Sequence, residues 1–171
     1  MGQSTTESSE ITASPIDIQM MDSTRARASS TKTNFLPWHG FGDCQNYWSS
    51  EPPSNFPVYI WFEFNDPVIP ERISFRPRPA GTNLYNSKRQ MPSKFHFIGS
   101  NDNNCNKYSR WSTLCHKSYG KSIKKDTEIR GCAVSKHDQT EQSFRCLGLK
   151  IHSVHGSEFA SLCGIHIHGK A

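Results

Sequence analysis

The amino-acid sequence predicts an all-β protein built as a sandwich of antiparallel strands. Three observations favour this fold class. Apolar and polar residues alternate with a period of two in several short segments, and polar turn residues separate those segments. No window of comparable length has the i, i+3, i+4, i+7 spacing of an amphipathic helix. With 171 residues, the chain is long enough for one domain and an additional tail.

The first two predicted strands flank a turn. Residues 58–64 alternate between two unlike faces, and the Asn-Asp-Pro triplet at 65–67 supplies turn residues directly after them. Residues 72–76 alternate again and end at Pro77, because proline has no N–H for the hydrogen-bond ladder of a sheet. The pattern therefore predicts two separate strands with a turn between them.

Three further strands are predicted later in the chain. Residues 94–98 alternate and are followed by the Gly-Ser-Asn-Asp turn at 99–102, residues 147–151 place three apolar side chains on one face, and residues 165–168 alternate Ile with His. Residues 116–142 are polar, rich in lysine and without clear periodicity. We interpret that segment as a long insertion between strands.

The aromatic residues define the boundary of the folded domain. All 19 of them lie between Phe35 and Phe159, whereas residues 1–34 contain none. A segment that buries little apolar surface cannot offset the entropy cost of ordering its backbone. We therefore predict a disordered tail over residues 1–10, an N-terminal extension over 11–34 that packs on the domain, and the domain itself over 35–171.

Three features of the sequence bear on the cellular location of the protein. No run approaches the roughly 18 apolar residues that a membrane-spanning helix needs. No apolar segment of a secretory signal is present, which favours a cytoplasmic location; a secreted or extracellular location is the alternative if the chain is a processed fragment. Residues 1–6 match the M-G-x-x-x-[ST] pattern for N-myristoylation, although one myristoyl chain gives only marginal membrane binding.

The six cysteines are compatible with two interpretations. An even number in an extracellular domain suggests three disulfides, and bridges that involve Cys105, Cys115 and Cys132 are geometrically plausible. Cys146 and Cys163 instead lie within strand patterns, where they resemble small buried apolar residues. Without a secretory signal, free thiols in a reducing compartment are the simpler interpretation.

Five motifs follow one another through the predicted domain. They are FGDCQNYWSS at 41–50, VYIWFEF at 58–64, FHFIGSND at 95–102 with WSTL at 111–114, FRCLGLKI at 144–151 and CGIHIHG at 163–169. In this order and spacing they resemble the discoidin family, also called F5/8 type C or galactose-binding-like domains, over about residues 35–169. The resemblance implies an eight-stranded jelly roll with its termini close together and binding loops at one end. Most of the family bind sugars, phospholipid head groups or proteins and do not catalyse reactions, so the fold leaves the ligand open.

The resemblance also indicates which residues contact a ligand. The candidates are Trp38, His39, Arg76, Arg78, Asn83, Tyr85 and Arg89. In fucose-binding relatives a histidine and two arginines hold the sugar, and His39, Arg76 and either Arg78 or Arg89 could match them. Guanidinium groups suit this role because their planar fork donates to vicinal hydroxyls or carboxylates. An exposed Trp38 could stack on the apolar face of a sugar, while Asn83 and Tyr85 could add a donor and a ring.

One departure from the family counts against a fucose lectin. Two adjacent cysteines stabilise the sugar site in the family, and no two cysteines are adjacent in this chain.

Two metals are weaker hypotheses. Relatives of this fold often hold a structural Ca²⁺ near the first loop with a Glu on the final strand; Asp43 fits the first position, but Gly164 occupies the second. Glu158 would have to replace that carboxylate, and Ca²⁺ requires six to eight oxygens, so no cofactor is expected. Zinc would need the C-terminal histidines at 152, 155, 166 and 168 with Cys163, but their spacing matches no zinc motif.

Enzymatic and nucleic-acid functions find little support. No Ser-His-Asp order, G-x-S-x-G, P-loop or paired-carboxylate motif occurs, so the chain is not expected to be an enzyme. The net charge of +5 is dispersed over the domain, mainly across 72–89 and 117–136, which is modest for a protein that tracks phosphates. We expect a lectin-like module that recognises carbohydrate through its loops. The alternative is a protein-interaction module of the intracellular discoidin-like type.

Overall fold

The computed structural model describes residues 23–135 and 142–170. Its eight strands are Ala26–Ala28 (β1), Trp48–Ser49 (β2), Val58–Arg76 (β3), Pro92–Ser100 (β4), Ser112–Ser118 (β5), Arg130–Ala133 (β6), Phe144–Val154 (β7) and Ser161–Lys170 (β8). Two short α-helices are Pro37–Gly40 (α1) and Leu84–Gln90 (α2), and single 3-10 turns occur at Ser23–Arg25, Asn103–Cys105 and Tyr108–Arg110. Every strand pair is antiparallel, which confirms the predicted fold class.

The long strand β3 belongs to both layers of the sandwich. Its first part pairs with β1 and β7, and its second part pairs with β6 and β8. One layer therefore has the order β1-β3-β7-β4-β5, and the other has the order β6-β3-β8-β2. A Cβ on Gly40 would contact Ile60 near the start of β3 and also Leu162. Leu162 is the residue before Cys163, and Cys163 pairs with Arg76 at the end of β3. The start and the end of β3 are therefore both close to Leu162, so they lie at the same end of the sandwich.

We call that end the loop end, since segments 50–57, 77–91 and 155–160 connect strands there. Residues 65–67 lie at the opposite end, where the chain crosses from one layer to the other. The prediction of two strands separated by a turn is corrected here: β3 is assigned as one strand through 65–67. Its pairing is irregular between Glu63 and Val68, and residues 65–67 are exposed, because the backbone stays extended while it changes layers.

The inner faces of the two layers form the main core. The alternation predicted for β3 places Ile60, Phe62 and Phe64 inside, each at most 2% exposed. The largest fully buried side chains include Trp48, Phe62, Phe75, Phe95, Phe97 and Met91. Each such side chain stabilises the fold by about 1.5–3 kcal/mol relative to an exposed position.

A second apolar cluster covers the outer face of the β1–β5 layer. It contains Tyr59, Trp61, Ile98 and the half-buried Trp111. The ring of Tyr108 stacks on that of Tyr59 with 4.2 Å between centroids. Three of the four tryptophans, at 48, 61 and 111, therefore serve packing.

All six cysteines form disulfides, so the prediction of free thiols is wrong. The pairs are Cys44–Cys163, Cys105–Cys146 and Cys115–Cys132. The strand cysteines at 146 and 163 are fully buried, as apolar residues would be, but each has a partner cysteine with its Cα within 6.4 Å. The error arises because alternation in the sequence shows that a cysteine is buried but does not show which other cysteine lies next to it. Cys115–Cys132 joins β5 to β6 and thereby links the edges of the two layers.

The predicted insertion contains regular structure. Strand β5 extends into residues 116–118, and β6 pairs with residues 72–75 of β3. The short β6 has too few residues for a detectable alternation, so it could not be predicted from the sequence. Residues 136–141, also assigned to the insertion, lie outside the described residues.

Residues 23–34 contact the domain. Strand β1 pairs with residues 60–62, the Ser29 hydroxyl accepts a hydrogen bond from the Tyr59 N–H at 2.8 Å, and the Lys32 N–H donates to the Ser49 carbonyl. Residues 1–22, which include the predicted tail and the myristoylation pattern, lie outside the described residues. In the part of the chain that is described, no helix has the length and apolar character to span a membrane.

Candidate functional site

Arg78 is the most firmly positioned cation at the loop end. Its Nη1 donates to the Gln90 Oε1 at 3.0 Å, and the Ser161 hydroxyl donates to the same oxygen at 2.7 Å. The guanidinium carbon lies 4.5 Å from the centroid of the Tyr47 ring. One face of the guanidinium is therefore covered, while its buried Nε has no hydrogen-bond partner among residues 23–135 and 142–170.

Arg76 lies two residues earlier, at the end of β3, and is half-buried. Its Nε is likewise buried without a partner in the described part of the chain. The Cys44–Cys163 disulfide packs beside it. Gly164 has a φ of 62°, and a Cβ there would lie 2.9 Å from the Cys44 sulfur and 3.6 Å from the Arg76 Cδ. The disulfide and Arg76 thus occupy the space that a side chain at position 164 would need.

Arg89 forms a second group with the exposed Tyr85. Its guanidinium carbon lies 5.0 Å from the Tyr85 ring centroid, and its Nη2 donates to the Gly156 carbonyl. The Asn83 side chain caps α2, because its Oδ1 accepts from the Tyr85 N–H at 3.1 Å. Asn83 therefore acts on the helix, whereas Tyr85 is 63% exposed and presents a ring to solvent.

Within residues 23–135 and 142–170, no carboxylate forms an ion pair with the loop-end arginines. The described residues contain two ion pairs, Arg110–Asp102 and Arg145–Glu63, and both lie toward the opposite end. The nearby Asp126 carboxylate accepts a hydrogen bond from the Ala80 N–H. Three guanidinium groups beside two tyrosine rings form a surface that can bind hydroxyl or carboxylate oxygens of a ligand.

Trp38 does not have the exposed position that the sequence interpretation assumed. It is half-buried in α1, and its ring centroid lies 6.5 Å from that of the core residue Phe62. Because α1 packs over the end of the core, the indole faces inward. His39 is also half-buried, and its Nδ1 has no partner in the described ranges. None of the contacts found for His39 joins it to the three arginines.

The two calcium candidates make hydrogen bonds with different neighbouring segments. The Asp43 carboxylate accepts a hydrogen bond from the Gln45 N–H at 3.1 Å, and the Glu158 carbonyl accepts from the Ser54 N–H. Among the residues that the structure describes, no group of three or more His, Cys, Asp or Glu side chains is placed to hold a metal ion. The calcium hypothesis gains no support from this part of the chain.

The C-terminal histidines lie in three different places, which corrects the zinc hypothesis. His166 and His168 lie on the outer side of β8, while His152 packs on His96 across the other layer with 4.4 Å between ring centroids. The His155 Nε2 lies 2.7 Å from the Arg130 Nη1. The predicted sulfur ligand, Cys163, is in a disulfide.

The histidine pair on the β1–β5 layer makes stability depend on pH. Burial lowers the pKa of His152 from 6.5 to about 4, and the charges of His96, Lys150 and Lys94 act in the same direction. The unfolded chain therefore binds more protons than the folded chain between about pH 6.5 and pH 4. Stability contributed by neutral His152 is present above pH 6.5 and is lost as the pH falls toward 4.

We expect the thermal unfolding midpoint to fall by at least about 3 °C between pH 7 and pH 4.5, the change that about 1 kcal/mol produces in a domain of this size. Differential scanning calorimetry across that range measures it. His152→Gln should make the unfolding midpoint fall less steeply with decreasing pH. His166→Gln, on the exposed side of β8, should leave that pH dependence unchanged. Equal slopes in the wild type and His152→Gln would contradict the assignment.

The architecture matches known carbohydrate-binding modules. The family 32 module of Clostridium perfringens NanJ, solved with galactose, is 12% identical with a TM-score of 0.62, and the match covers 84% of this chain and 91% of that one. A CBM32 module from a family 31 glycoside hydrolase of the same organism is 16% identical with a TM-score of 0.64, covering 88% and 94%. The fold is the galactose-binding-like β-sandwich.

A further solved structure has the same fold, whereas the comparisons of sequence found no match. The CBM32 module of AlyQ, solved with 4,5-unsaturated mannuronic acid, is 14% identical with a TM-score of 0.59, and the match covers 83% of this chain and 92% of that one. The sequence matches no protein-family model and no curated protein. Identities this low establish the shared fold, and the resemblance to the discoidin family stays a prediction.

Three residues that the sequence analysis missed complete the loop-end group. Tyr47, Gln90 and Ser161 hold Arg78 through the contacts above. Gln90 is only 4% exposed, and a buried amide is a sign of a built hydrogen-bond network. One usable signal is present in the sequence: Tyr47 directly precedes the buried Trp48, so an extended chain places it on the opposite face just before β2.

Proposed function

We propose that the chain is a non-catalytic carbohydrate-binding module whose ligand binds at the loop end, against Arg76, Arg78 and Tyr47. The observation that carries the proposal is the pair of buried Nε atoms on Arg76 and Arg78, neither of which has a partner among residues 23–135 and 142–170. A buried donor without a partner costs about 1–3 kcal/mol and is uncommon, so two such donors side by side indicate guanidinium groups that are positioned for a ligand at their accessible edges rather than for stability. Sugar hydroxyls offer such oxygens in adjacent pairs, which suits a guanidinium fork.

The position of Arg78 favours binding over a purely structural role. Gln90 and Ser161 fix the guanidinium before any ligand arrives, which lowers the entropy cost of association. The Tyr47 ring also packs on Phe35 at 4.8 Å, so it provides a rigid wall beside the cation. The galactose complex of a module with the same fold supports carbohydrate as the ligand class. Lectin-like recognition of a particular sugar is the finer form of the proposal.

Arg76→Ala and Arg78→Ala are expected to weaken binding of glycans identified on an array by about tenfold to 100-fold, the range for a hydrogen bond from a charged donor. Isothermal titration calorimetry with each hit measures the change. Arg110→Ala, which removes an exposed arginine at the opposite end, is the matched control and should bind as the wild type does. Unchanged affinity in both loop-end variants would overturn the proposal.

A protein-interaction module is the alternative, and the same experiment decides between the two. An array without hits, together with a defined protein that co-purifies in one-to-one ratio and is lost with Arg78→Ala, would favour it. The carbohydrate proposal would then be wrong.

A further inference from the structure

A groove of about 670 Å³ runs along the outer side of the β6-β3-β8-β2 layer. It is separate from the loop-end site, since none of Arg76, Arg78, Arg89, Tyr85 and Tyr47 lines it. Strands β3, β6 and β8 form its base, and the end of β5 with the residues before β6 forms one wall. The Cys115–Cys132 disulfide fixes that wall relative to the base, because it joins β5 to β6.

The part of the floor where β3 pairs with β6 consists of small residues. Ser74 pairs with Gly131 across β3 and β6, and Ala133 lies two residues further on the same side. A Cβ on Gly131 would lie 2.2 Å from the Ile73 carbonyl oxygen, so the backbones approach closely and no side chain fits there. Because nothing larger than a hydroxymethyl group rises from this part, a flat ring can rest on the backbone here, beside the larger Arg72, His166 and His168 side chains of β3 and β8.

The groove is positively charged throughout. Its charged or titratable lining residues are Arg72, Lys117, Tyr119, Arg130, His166 and His168, and no carboxylate lines it. Arg72, on β3 in the base, and Lys117, near the end of β5 in the wall, are both exposed, and the Arg72 Nη2 lies 3.2 Å from the His168 Nδ1. Arg130 is buried and bonded to the carbonyls of Pro92 and Lys121, so its charge contributes to the field without facing solvent. The two exposed cations, Arg72 and Lys117, therefore favour an anionic occupant.

Exposed apolar area adjoins these charges. Ile129 is 68% exposed on the wall beside Arg130, so it offers an apolar contact next to the charged groups. A pyranose ring with an acidic substituent has matching features: apolar C–H faces, hydroxyls and one negative charge per residue. A protein peptide would carry bulky side chains on alternate positions, which a floor without depressions accommodates poorly.

We propose that this groove binds an acidic polysaccharide, with Arg72 and Lys117 pairing with carboxylate or sulfate groups of successive sugar units and Ile129 contacting a ring face. Nucleic acid fits less well. The tyrosine ring in the groove, Tyr119, is covered by the Arg130 guanidinium at 4.2 Å and packs parallel to Phe95, so a base cannot stack on it, and the remaining rings are the smaller imidazoles of His166 and His168. This site goes beyond the proposed function, since it predicts a second contact surface for an extended chain.

The test uses the full chain with polygalacturonate, dextran sulfate and neutral dextran as probes, measured by biolayer interferometry at low salt. We expect one or both acidic polymers to bind and neutral dextran not to bind. Arg72→Gln combined with Lys117→Gln should weaken that binding at least tenfold. Binding of polygalacturonate alone would identify carboxylate as the recognised group, and binding of dextran sulfate alone would identify sulfate. Failure of both acidic polymers to bind would overturn the proposal.

The control has the same change in charge on the other layer. Lys94→Gln combined with Lys150→Gln should reduce affinity less than twofold, and an equal loss would show that binding is only general charge attraction. Loss with Arg78→Ala and not with the groove variant would place the polymer at the loop end, which refutes the groove and leaves the loop-end proposal intact. Equal competition by polyglutamate or single-stranded RNA would refute the choice of a polysaccharide.

Discussion

Removal of the Cys44–Cys163 disulfide, as Cys44→Ala with Cys163→Ala, is expected to lower the free energy of unfolding by about 3–5 kcal/mol. The two cysteines are 119 residues apart, so the bridge closes most of the domain into one loop and restricts the unfolded chain. Cys163 is also fully buried on β8, where the lost sulfur leaves unfilled space. Equilibrium unfolding in urea without reductant measures the change.

The matched control is Cys115→Ala with Cys132→Ala, whose cysteines are only 17 residues apart. In the chain-entropy account the shorter loop stabilises less, about 3 kcal/mol, so this variant should lose less stability. We also propose that the protein works in an oxidising compartment, because three disulfides in a domain of this size are typical of one. Six reactive thiols in the native purified protein would contradict both the bridges and that location.

Gly148→Ala is expected to cost at least about 3 kcal/mol, at or above the upper end of the usual range for overpacking. A Cβ at this position would lie 2.1 Å from the Ile60 carbonyl oxygen and 2.6 Å from the Trp61 Cα. Both atoms belong to the backbone of β3, which pairs with β7 at this point and cannot shift alone. The Trp61 side chain also covers the glycine from the outer face. Equilibrium unfolding in urea measures this change in the free energy of unfolding.

Gly120→Ala serves as the control, because nothing lies within 4 Å of a Cβ at that position. Its free energy of unfolding should stay within about 0.5 kcal/mol of the wild type, as for surface substitutions in general. If Gly148→Ala were as stable as Gly120→Ala, the close approach of β3 and β7 would be wrong. If it failed to fold, the loss in soluble yield relative to Gly120→Ala would support the prediction.

The strands were predictable because their cause is local. Alternation in residues 58–64 and 72–76 indicates one buried and one exposed face, and the structure buries Ile60, Phe62, Ile73 and Phe75 as that pattern requires. The joining of the two segments into β3 was not predictable. Whether an extended chain turns back or crosses between layers depends on partners more than 70 residues away, in β7 and β8.

The candidate site was predictable in residue type but not in arrangement. Sequence identified Arg76, Arg78 and Arg89 as cations in loops, and the fold places all three at the loop end. It assumed an exposed Trp38, whereas the structure places this residue half-buried in α1, with 6.5 Å between its ring centroid and that of Phe62. It missed Gln90, which accepts from Arg78 12 positions away, and Ser161, which donates to the same Gln90 oxygen, since contacts between such distant residues leave no local pattern.

The sequence by itself determined the strand-forming segments, the apolar residues that face the core and the surplus of basic side chains in the domain. Tertiary structure decided which cysteines pair, which arginines keep an unsatisfied donor and where a positively charged groove forms. The physical reason is distance along the chain. Alternation acts between neighbours, whereas a disulfide such as Cys44–Cys163 and a floor shared by β3, β6 and β8 exist only once remote segments pack together.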